Sequence, residues 1–230
     1  MVGFYTYIIG SKDNEPDRIT YLENYFKSEN MNVTYFQPWY KTNLTSEIIQ
    51  KYVPINASLH DRPLRMSEIS LFLNYIYLFE KILREYNDGV FLILESDVIF
   101  TDKLTKYMNT LLSVIHNNNI IYDCISIGAG CKLTIPNIDP TSKDYCFMQT
   151  EKTRATDSML YTYNGIKKFM NYLDLFLKEG KSLNQPIDNF LDTFFNLDPL
   201  FTFLWVHPTI CIQGSEHAVY KSNIQIPDEL

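Results

Sequence analysis

The residues whose types and spacing could do chemistry are Glu95-Ser96-Asp97, two acids separated by one small residue. They follow the run Val90-Phe91-Leu92-Ile93-Leu94, which does not alternate with polar residues and therefore predicts a strand buried on both faces. Open α/β sheets bind ligands at the carboxyl ends of such strands. Because neighbouring carboxylates repel each other, a divalent cation, a basic side chain or helix N-terminal amides should compensate them. The alternative is that the acids simply mark the point where the chain turns.

Two further acids are candidate site residues. Asp188 follows a proline and precedes an apolar periodic run, a position that is also typical of a helix N-cap. Amides at a helix start would lower the pKa of Asp188 and keep it ionised. Asp157 lies within a predicted strand over residues 154–163, where it could instead contact hydroxyls of a bound ligand.

Basic side chains and one histidine complete the candidate set. Arg18 follows the first predicted strand and Arg65 precedes a long helix, so each could contact a phosphate. A surface ion pair with a neighbouring acid is the other interpretation of Arg18. For two late polar residues, His217 and Lys221, the residues alone favour solvated side chains.

Composition limits the classes of function. The chain has 230 residues and a mass of 27.0 kDa, which is enough for one well-buried domain over residues 1–230. A net charge of −7 without a dense Lys/Arg cluster argues against a nucleic-acid-binding face. No apolar run approaches the roughly 20 residues of a transmembrane span, and the N-terminus lacks the basic region of a signal peptide. These features favour a cytoplasmic protein.

Hydrophobic periodicity predicts alternating strands and helices. A strand over residues 4–9, a helix starting near Pro16 and a strand over 33–36 form a parallel β-α-β opening. Ser67 is expected to cap a helix that runs to about residue 86. Further elements are predicted as a helix after Thr101-Asp102, a strand at 120–128, helices after Asn164 and Pro186, and strands at 201–206 and 209–212. Residues 37–65 look irregular, and residues 129–154 look like a long functional excursion.

Together these segments resemble glycosyltransferase family 25, the lipopolysaccharide-type and collagen-type galactosyltransferases. The family's R-x-D-R is similar to Glu15-Pro16-Asp17-Arg18, and its I-L-E-D-D-V to residues 93–98, where Ser96 replaces the middle acid. Its G-E-I-G-C-A-L-S-H is similar to residues 67–75, where Asn74-Tyr75 replaces Ser-His. Pro186-Ile187-Asp188 matches its P-I-D, and residues 208–213 and 220–222 are similar to its ending.

The resemblance implies a single GT-A-type, Rossmann-like α/β domain with a mixed, mostly parallel central sheet flanked by helices. It implies inverting transfer of a hexose from a nucleotide sugar, UDP-galactose or UDP-glucose, to a hydroxyl of a glycan or of a glycosylated protein or lipid, as in lipopolysaccharide biosynthesis. Mn²⁺, or Mg²⁺ in its place, would be bound by Asp97 and His217. The donor would be bound by Arg18, Arg65, Glu68, Glu95, Ser96 and Lys221, with Asp188 or Asp157 as the catalytic base.

A competing hypothesis is a sugar- or partner-binding module that keeps the fold without catalysis. The substitutions at Ser96, Asn74 and Tyr75 motivate it, because Ser96 lacks the charge of the usual acid and could weaken metal binding. A dinucleotide enzyme is disfavoured, since no G-x-G-x-x-G follows the first strand.

Overall fold

The computed structural model describes residues 3–53 and 63–220 of the chain. Within these ranges the strands are β1 Tyr5–Ile9, β2 Thr34–Tyr35, β3 Val90–Glu95, β4 Val98–Phe100, β5 Cys124–Ser126, β6 Cys146–Gln149, β7 Ser158–Thr162, β8 Phe203–His207 and β9 Cys211–Gln213. The α-helices are α1 Pro16–Ser28, α2 Ser46–Tyr52, α3 Met66–Glu85, α4 Leu104–Asn117, α5 Tyr163–Lys178 and α6 Ile187–Leu197.

A seven-stranded sheet forms the centre, in the order β2-β1-β3-β7-β5-β8-β6. Strands β1, β2, β3, β5 and β8 share one direction, whereas β6 and β7 run opposite to them. The predicted mixed, mostly parallel α/β sheet is therefore confirmed, as is the parallel β1-α1-β2 opening. Strands β4 and β9 form a separate antiparallel pair.

Helices cover both faces of this sheet, because alternate residues of each strand point to opposite sides. Phe91 and Ile93 of β3 pack in the core that contains the apolar faces of α3, α5 and α6. Leu92 and Leu94 pack in the core beneath α1 and α4. The prediction that β3 is buried on both faces is thus confirmed. None of the helices in the described ranges is long and apolar enough to cross a membrane.

Several helix starts differ from the sequence prediction. Helix α3 begins at Met66 with Arg65 at its N-cap position, so Ser67 lies in the first turn and is not the cap. Helix α5 is capped by Thr162, whose hydroxyl accepts the amide of Gly165 over 3.0 Å, and not by Asn164. Both helices were nevertheless predicted in these parts of the chain, because burial of an apolar face stabilises the helix whichever residue caps it.

Three short elements were missed. Helix α2 interrupts the stretch that the prolines marked as irregular, and β6 lies inside the predicted excursion as an edge strand beside β8. Strand β4 follows directly after Asp97. Each of these elements spans seven residues or fewer, too short for a periodic pattern to stand out.

Two antiparallel pairings bring distant segments to the end of β3. Because β7 runs against β3, the residue before β7 meets the last residue of β3, and the amide of Glu95 donates to the carbonyl of Asp157 over 2.8 Å. The β4–β9 pair places the following turn against Asp97, whose carbonyl accepts the amide of Gly214 over 2.7 Å. Acids separated by 60 residues or more in the sequence thus share one edge of the sheet.

Candidate active site

A first cavity opens at the carboxyl ends of β1 and β3. It encloses about 610 Å³, open solvent included. The start of α1, the loop after β2, the first turns of α3 and the segment after β9 complete its wall. Its lining residues are Ile9, Glu15, Arg18, Gln37, Tyr40, Lys41, Ser67, Ser70, Leu71, Asn74, Glu95, Ser96, Asp97, Gln213 and Ser215.

A second cavity of about 510 Å³, open solvent included, lies next to the first. Leu71, Glu95 and Gln213 line both cavities, so the two adjoin at the carboxylate of Glu95. The remaining lining residues of the second cavity are Glu68, Ala155, Thr156, Pro186, Ile187 and Asp188. A ligand spanning the junction would thus contact acids from β3, α3 and α6.

Asp97 is buried and only partly satisfied. Its side chain accepts a hydrogen bond at Oδ2 from the hydroxyl of Ser215 over 2.6 Å. Its other carboxyl oxygen, Oδ1, has no hydrogen-bond partner among the described residues. A buried carboxylate oxygen without a partner is costly, which makes it a candidate ligand for a cation or a substrate hydroxyl.

Arg18 is held in a buried polar cluster with Glu15 and Ser96. The guanidinium Nη1 donates to Glu15 Oε1 over 3.0 Å and to Ser96 Oγ over 3.3 Å. The side chains of Arg18 and Glu15 are only 11% and 6% exposed, so the expected surface pair is in fact buried at the cavity wall. The ring of Tyr220 covers the guanidinium with its centroid 5.3 Å away.

The start of α3 contributes to both cavities. The carboxylate of Glu68 accepts the backbone amide of Arg65 over 2.8 Å, and Glu68 lines the second cavity. The Arg65 side chain is half-buried and lies outside the lining of both cavities. Ser67 is 8% exposed and faces the first cavity, and its hydroxyl has no partner among the described residues. The positive end of a helix dipole together with the unpaired hydroxyl of Ser67 favours an anion.

Glu95 stands at the junction of the two cavities. The hydroxyl of Thr156 donates to Glu95 Oε1 over 2.5 Å. Burial, together with the nearby charge of Asp97, raises the pKa of Glu95 well above its usual range. A protonated Glu95 can donate a hydrogen bond, so it can pair with a sugar hydroxyl in either direction.

Asp188 lies in the first turn of α6, and Pro186 takes the N-cap position. Its Oδ1 accepts the amide of Asn189 over 2.9 Å, and the side chain lines the second cavity. Burial raises the pKa of Asp188 above its usual value, although the helix amides act in the opposite direction. The net direction is opposite to the sequence expectation, because desolvation outweighs the helix start. The raised pKa makes Asp188 a stronger base.

Asp157 is packed behind this surface. It is 1% exposed, lines neither cavity and accepts the hydroxyl of Ser158 over 2.9 Å. Burial raises its pKa to about 7. The structure therefore places Asp157 next to Glu95 but outside the lining of both cavities, where it cannot contact a ligand hydroxyl directly.

The fit of a metal ion rests on unpaired carboxylate oxygens. The described residues contain no group of three or more His, Cys, Asp or Glu side chains arranged for a metal. Two carboxylate oxygens there, Asp97 Oδ1 and Glu216 Oε2, are nevertheless buried without a partner. Mg²⁺ and similar ions are often held by one or two carboxylates together with substrate phosphates, so Asp97, which lines the first cavity, fits such a role. His217 has an exposed side chain, and Lys221 lies outside the described residues.

Sequence reasoning missed the roles of Asn74 and Tyr75. The Asn74 carboxamide bonds the peptide of Trp39 twice, accepting its amide over 3.1 Å and donating to its carbonyl over 2.6 Å. Tyr75 donates its hydroxyl to the carbonyl of Thr156 over 2.7 Å. Both replacements therefore position walls of the two cavities. These hydrogen bonds could not be predicted from the sequence, because both residues lie inside a helix whose pattern predicts only which positions are buried.

Comparison with known proteins identifies the family of the chain. A search of the curated proteins returned no match. The family model described as "Glycosyltransferase family 25 (LPS biosynthesis protein)" matches residues 5–191 of the 230, a span that includes β1, α3, β3 and the start of α6. The chain therefore belongs to glycosyltransferase family 25 and is a glycosyltransferase.

Proposed function

We propose that the protein transfers a hexose from UDP-galactose or UDP-glucose to a hydroxyl of a glycan or of a glycosylated protein or lipid, with inversion at the anomeric carbon. The observation that carries this proposal is the pair of adjoining cavities that meet at Glu95. One cavity offers groups suited to a diphosphate, and the other offers a carboxylate suited to a base. A transfer between two substrates needs such a junction.

The first cavity would bind the donor. Arg18, the start of α3 and the unpaired hydroxyl of Ser67 supply cationic or donor groups for a diphosphate. Tyr40 and Lys41 line the same cavity and would face the nucleoside. Arg65 and Lys221 remain proposed phosphate contacts, Arg65 through the loop before α3. The sugar would then reach the junction, where Glu95 and Glu68 can bond its hydroxyls.

A divalent cation, Mn²⁺ or Mg²⁺, fits this arrangement, because three acids line the donor cavity beside only two basic side chains. Asp97 and Glu216 would hold it through their unpaired oxygens, with His217 as a further proposed ligand. When bound, it would neutralise charge on the departing diphosphate. The residues of the chain would still have to orient the sugar and take up the acceptor proton.

Asp188 is the base that the geometry favours over Asp157, because only Asp188 lines the second cavity. It would remove the proton of the acceptor hydroxyl as that oxygen forms a bond to the anomeric carbon. The bond from this carbon to the diphosphate oxygen breaks at the same time, releasing UDP. A single displacement of this kind inverts the configuration. Asp157 would support Glu95 from beneath.

Donor binding and turnover test the proposal separately. Thermal unfolding should show a midpoint that rises with UDP-galactose or UDP-glucose concentration in Mn²⁺, and a smaller rise in EDTA. Release of UDP should then depend on an added acceptor sugar. Binding of UDP without release from any acceptor would favour the non-catalytic module, and absence of UDP binding in Mn²⁺ would refute the donor assignment.

A further inference from the structure

Two residues that depart from the charged motifs of the family contact each other. Glu15 stands at the first arginine position of R-x-D-R, and Ser96 stands at the middle acid of E-D-D. In the structure Ser96 Oγ donates a hydrogen bond to Glu15 Oε1 over 2.8 Å. Because Arg18 donates to both of these oxygens, the three side chains form a closed triangle at the wall of the first cavity.

Because of the direction of these hydrogen bonds, the glutamate at position 15 and the serine at position 96 depend on each other. The single hydroxyl proton of Ser96 points to Glu15, and a lone pair of the same oxygen accepts from Arg18. An aspartate at position 96 would set one carboxylate against another at about 3 Å, a distance at which both cannot stay ionised. Space is also short, since a Cβ at Gly10 would lie 2.8 Å from the Cβ of Ser96 and 3.3 Å from Glu15 Oε2.

We propose that Glu15 carries the negative charge that the family motif places at position 96, and that the Glu15–Ser96 pair orients Arg18 to receive the donor diphosphate. Glu15 is then a positioning residue, because it acts on the ligand through Arg18. This inference rests on the proposed function, since it takes the ligand of the first cavity to contain a diphosphate.

The surroundings of Arg18 support an orienting role. Glu15 and Ser96 hold one side of the guanidinium, and the ring of Tyr220 stacks on it. Gln37 contributes a further long contact of 3.5 Å to Glu15 Oε2. A charged group fixed before the ligand arrives loses less freedom on binding, which strengthens its effect. Ser96 is thus an adaptation to Glu15, and it does not by itself indicate lost activity.

Exchanging the two groups tests the proposal. Glu15→Ser combined with Ser96→Asp keeps one hydroxyl and one carboxylate but returns the acid to the strand. Calorimetric titration with inorganic pyrophosphate and with UDP, in Mn²⁺ and in EDTA, would measure the site. We expect Glu15→Ser or Ser96→Asp alone to weaken both ligands about tenfold, the loss of one charge-assisted hydrogen bond. The double variant should recover to within about threefold of the native chain.

Steady-state kinetics provide a second measurement, the KM for the donor relative to kcat, which would not change selectively if Glu15 had a purely structural role. Because Arg18 binds the donor, the single variants should raise the KM for the donor about tenfold while kcat changes less. Glu15→Gln keeps the size of the side chain, removes the charge and serves where the double variant does not fold; it should also lose about tenfold in pyrophosphate affinity. Glu23→Ser is the matched control, because Glu23 pairs with Lys12 on the exposed face of α1.

The binding experiments distinguish a failure of the Glu15 positioning role from a failure of the proposed donor site. Native affinity in Glu15→Ser or Glu15→Gln, or a folded double variant as weak as its weaker parent, would overturn the positioning role and leave the donor assignment intact. A native chain that binds pyrophosphate but not UDP would overturn only the uridine donor. A native chain that binds neither ligand would overturn both proposals.

Discussion

Depressions lie at both ends of the central sheet, and the two ends treat their polar groups differently. At the amino ends of β3 and β5 a broad depression encloses about 1,340 Å³, open solvent included, which is more than the first cavity encloses. Asp123, one of the two aspartates that line this depression, accepts at Oδ2 both Lys168 Nζ over 2.7 Å and the amide of Thr202 over 2.8 Å. At the carboxyl end Asp97 keeps one buried oxygen without a partner among the described residues.

If the carboxyl end is the functional end, as we propose, then unsatisfied polar groups mark it better than cavity volume does. A buried polar atom without a partner costs stability unless a ligand supplies the missing bond. The carboxyl end also collects acids whose pKa burial raises, among them Glu15, Glu95 and Asp188. Such clusters are typical of sites that perform chemistry, whereas Asp123 and Lys168 neutralise each other in a structural ion pair.

Matched aspartate substitutions give the largest effect and test the comparison directly. Asp97→Asn should lower kcat/KM for the donor by about 1,000-fold, because it removes a charge from the proposed cation site. Asp123→Asn should leave kcat/KM unchanged but reduce the free energy of unfolding by about 1 kcal/mol, since Lys168 is partly exposed. Steady-state kinetics and chemical denaturation measure the two effects. A large loss of activity in Asp123→Asn would contradict the distinction between the two ends.

Asp188→Asn should have the next largest effect. Loss of a general base should lower kcat about 100-fold or more while UDP affinity stays native. Because the base must be ionised and its pKa is raised, kcat of the native enzyme should fall as the pH drops through that raised pKa, which lies above the ordinary aspartate value. A pH profile of kcat measures this acidic limb, and the Asn variant should lack it. An unchanged limb in the variant would exclude Asp188 as the base.

The framework of the fold could be predicted from the sequence because it depends on patterns of burial. The unbroken apolar run of β3 predicted a buried strand, and the apolar residues Ile69, Leu73, Ile76 and Phe79, at helical spacing in α3, are indeed buried in the core. Strand direction could not be read in this way. Strand β7 has an ordinary strand pattern, and only the assembled sheet shows that it runs against β3 and brings Asp157 to Glu95.

Site residues could be predicted where a motif is local and could not where the site is assembled in space. Glu95 and Asp97 could be predicted as candidates because they lie together at the end of one strand and in the turn after it, and both line the first cavity. Glu15 was not predicted, since its link to Ser96 crosses 81 residues. Glu216 was not predicted either. Sequence reasoning selected the neighbouring His217, which is exposed, whereas an oxygen of the Glu216 carboxylate is buried. Ser67 was expected to cap a helix, a role in which its hydroxyl would accept a backbone amide, whereas in the structure it is unpaired and faces the first cavity.

Ser67→Ala should have a smaller effect than the acid substitutions. The hydroxyl faces the first cavity unpaired, so its removal should weaken pyrophosphate and UDP binding by about fivefold to tenfold, as for one lost hydrogen bond. Stability should not fall, because no partner within the described residues is lost. Ser113→Ala is the control, since its hydroxyl bonds the carbonyl of Asn109 on the exposed face of α4. Equal affinities in the two variants would exclude Ser67 from the ligand site.

The smallest effect is expected from Ile121→Ser at the opposite end of the sheet. Ile121 is 82% exposed and lines the large depression there, yet no unpaired buried group accompanies it among the residues that line this depression. Surface substitutions of this kind change the free energy of unfolding by only about 0.5 kcal/mol. Donor affinity and kcat should therefore both remain native in titration and turnover assays. A measurable loss of donor affinity or of kcat would mean that this end of the sheet takes part in the reaction. Cavity volume would then locate the functional site better than unsatisfied polar atoms do.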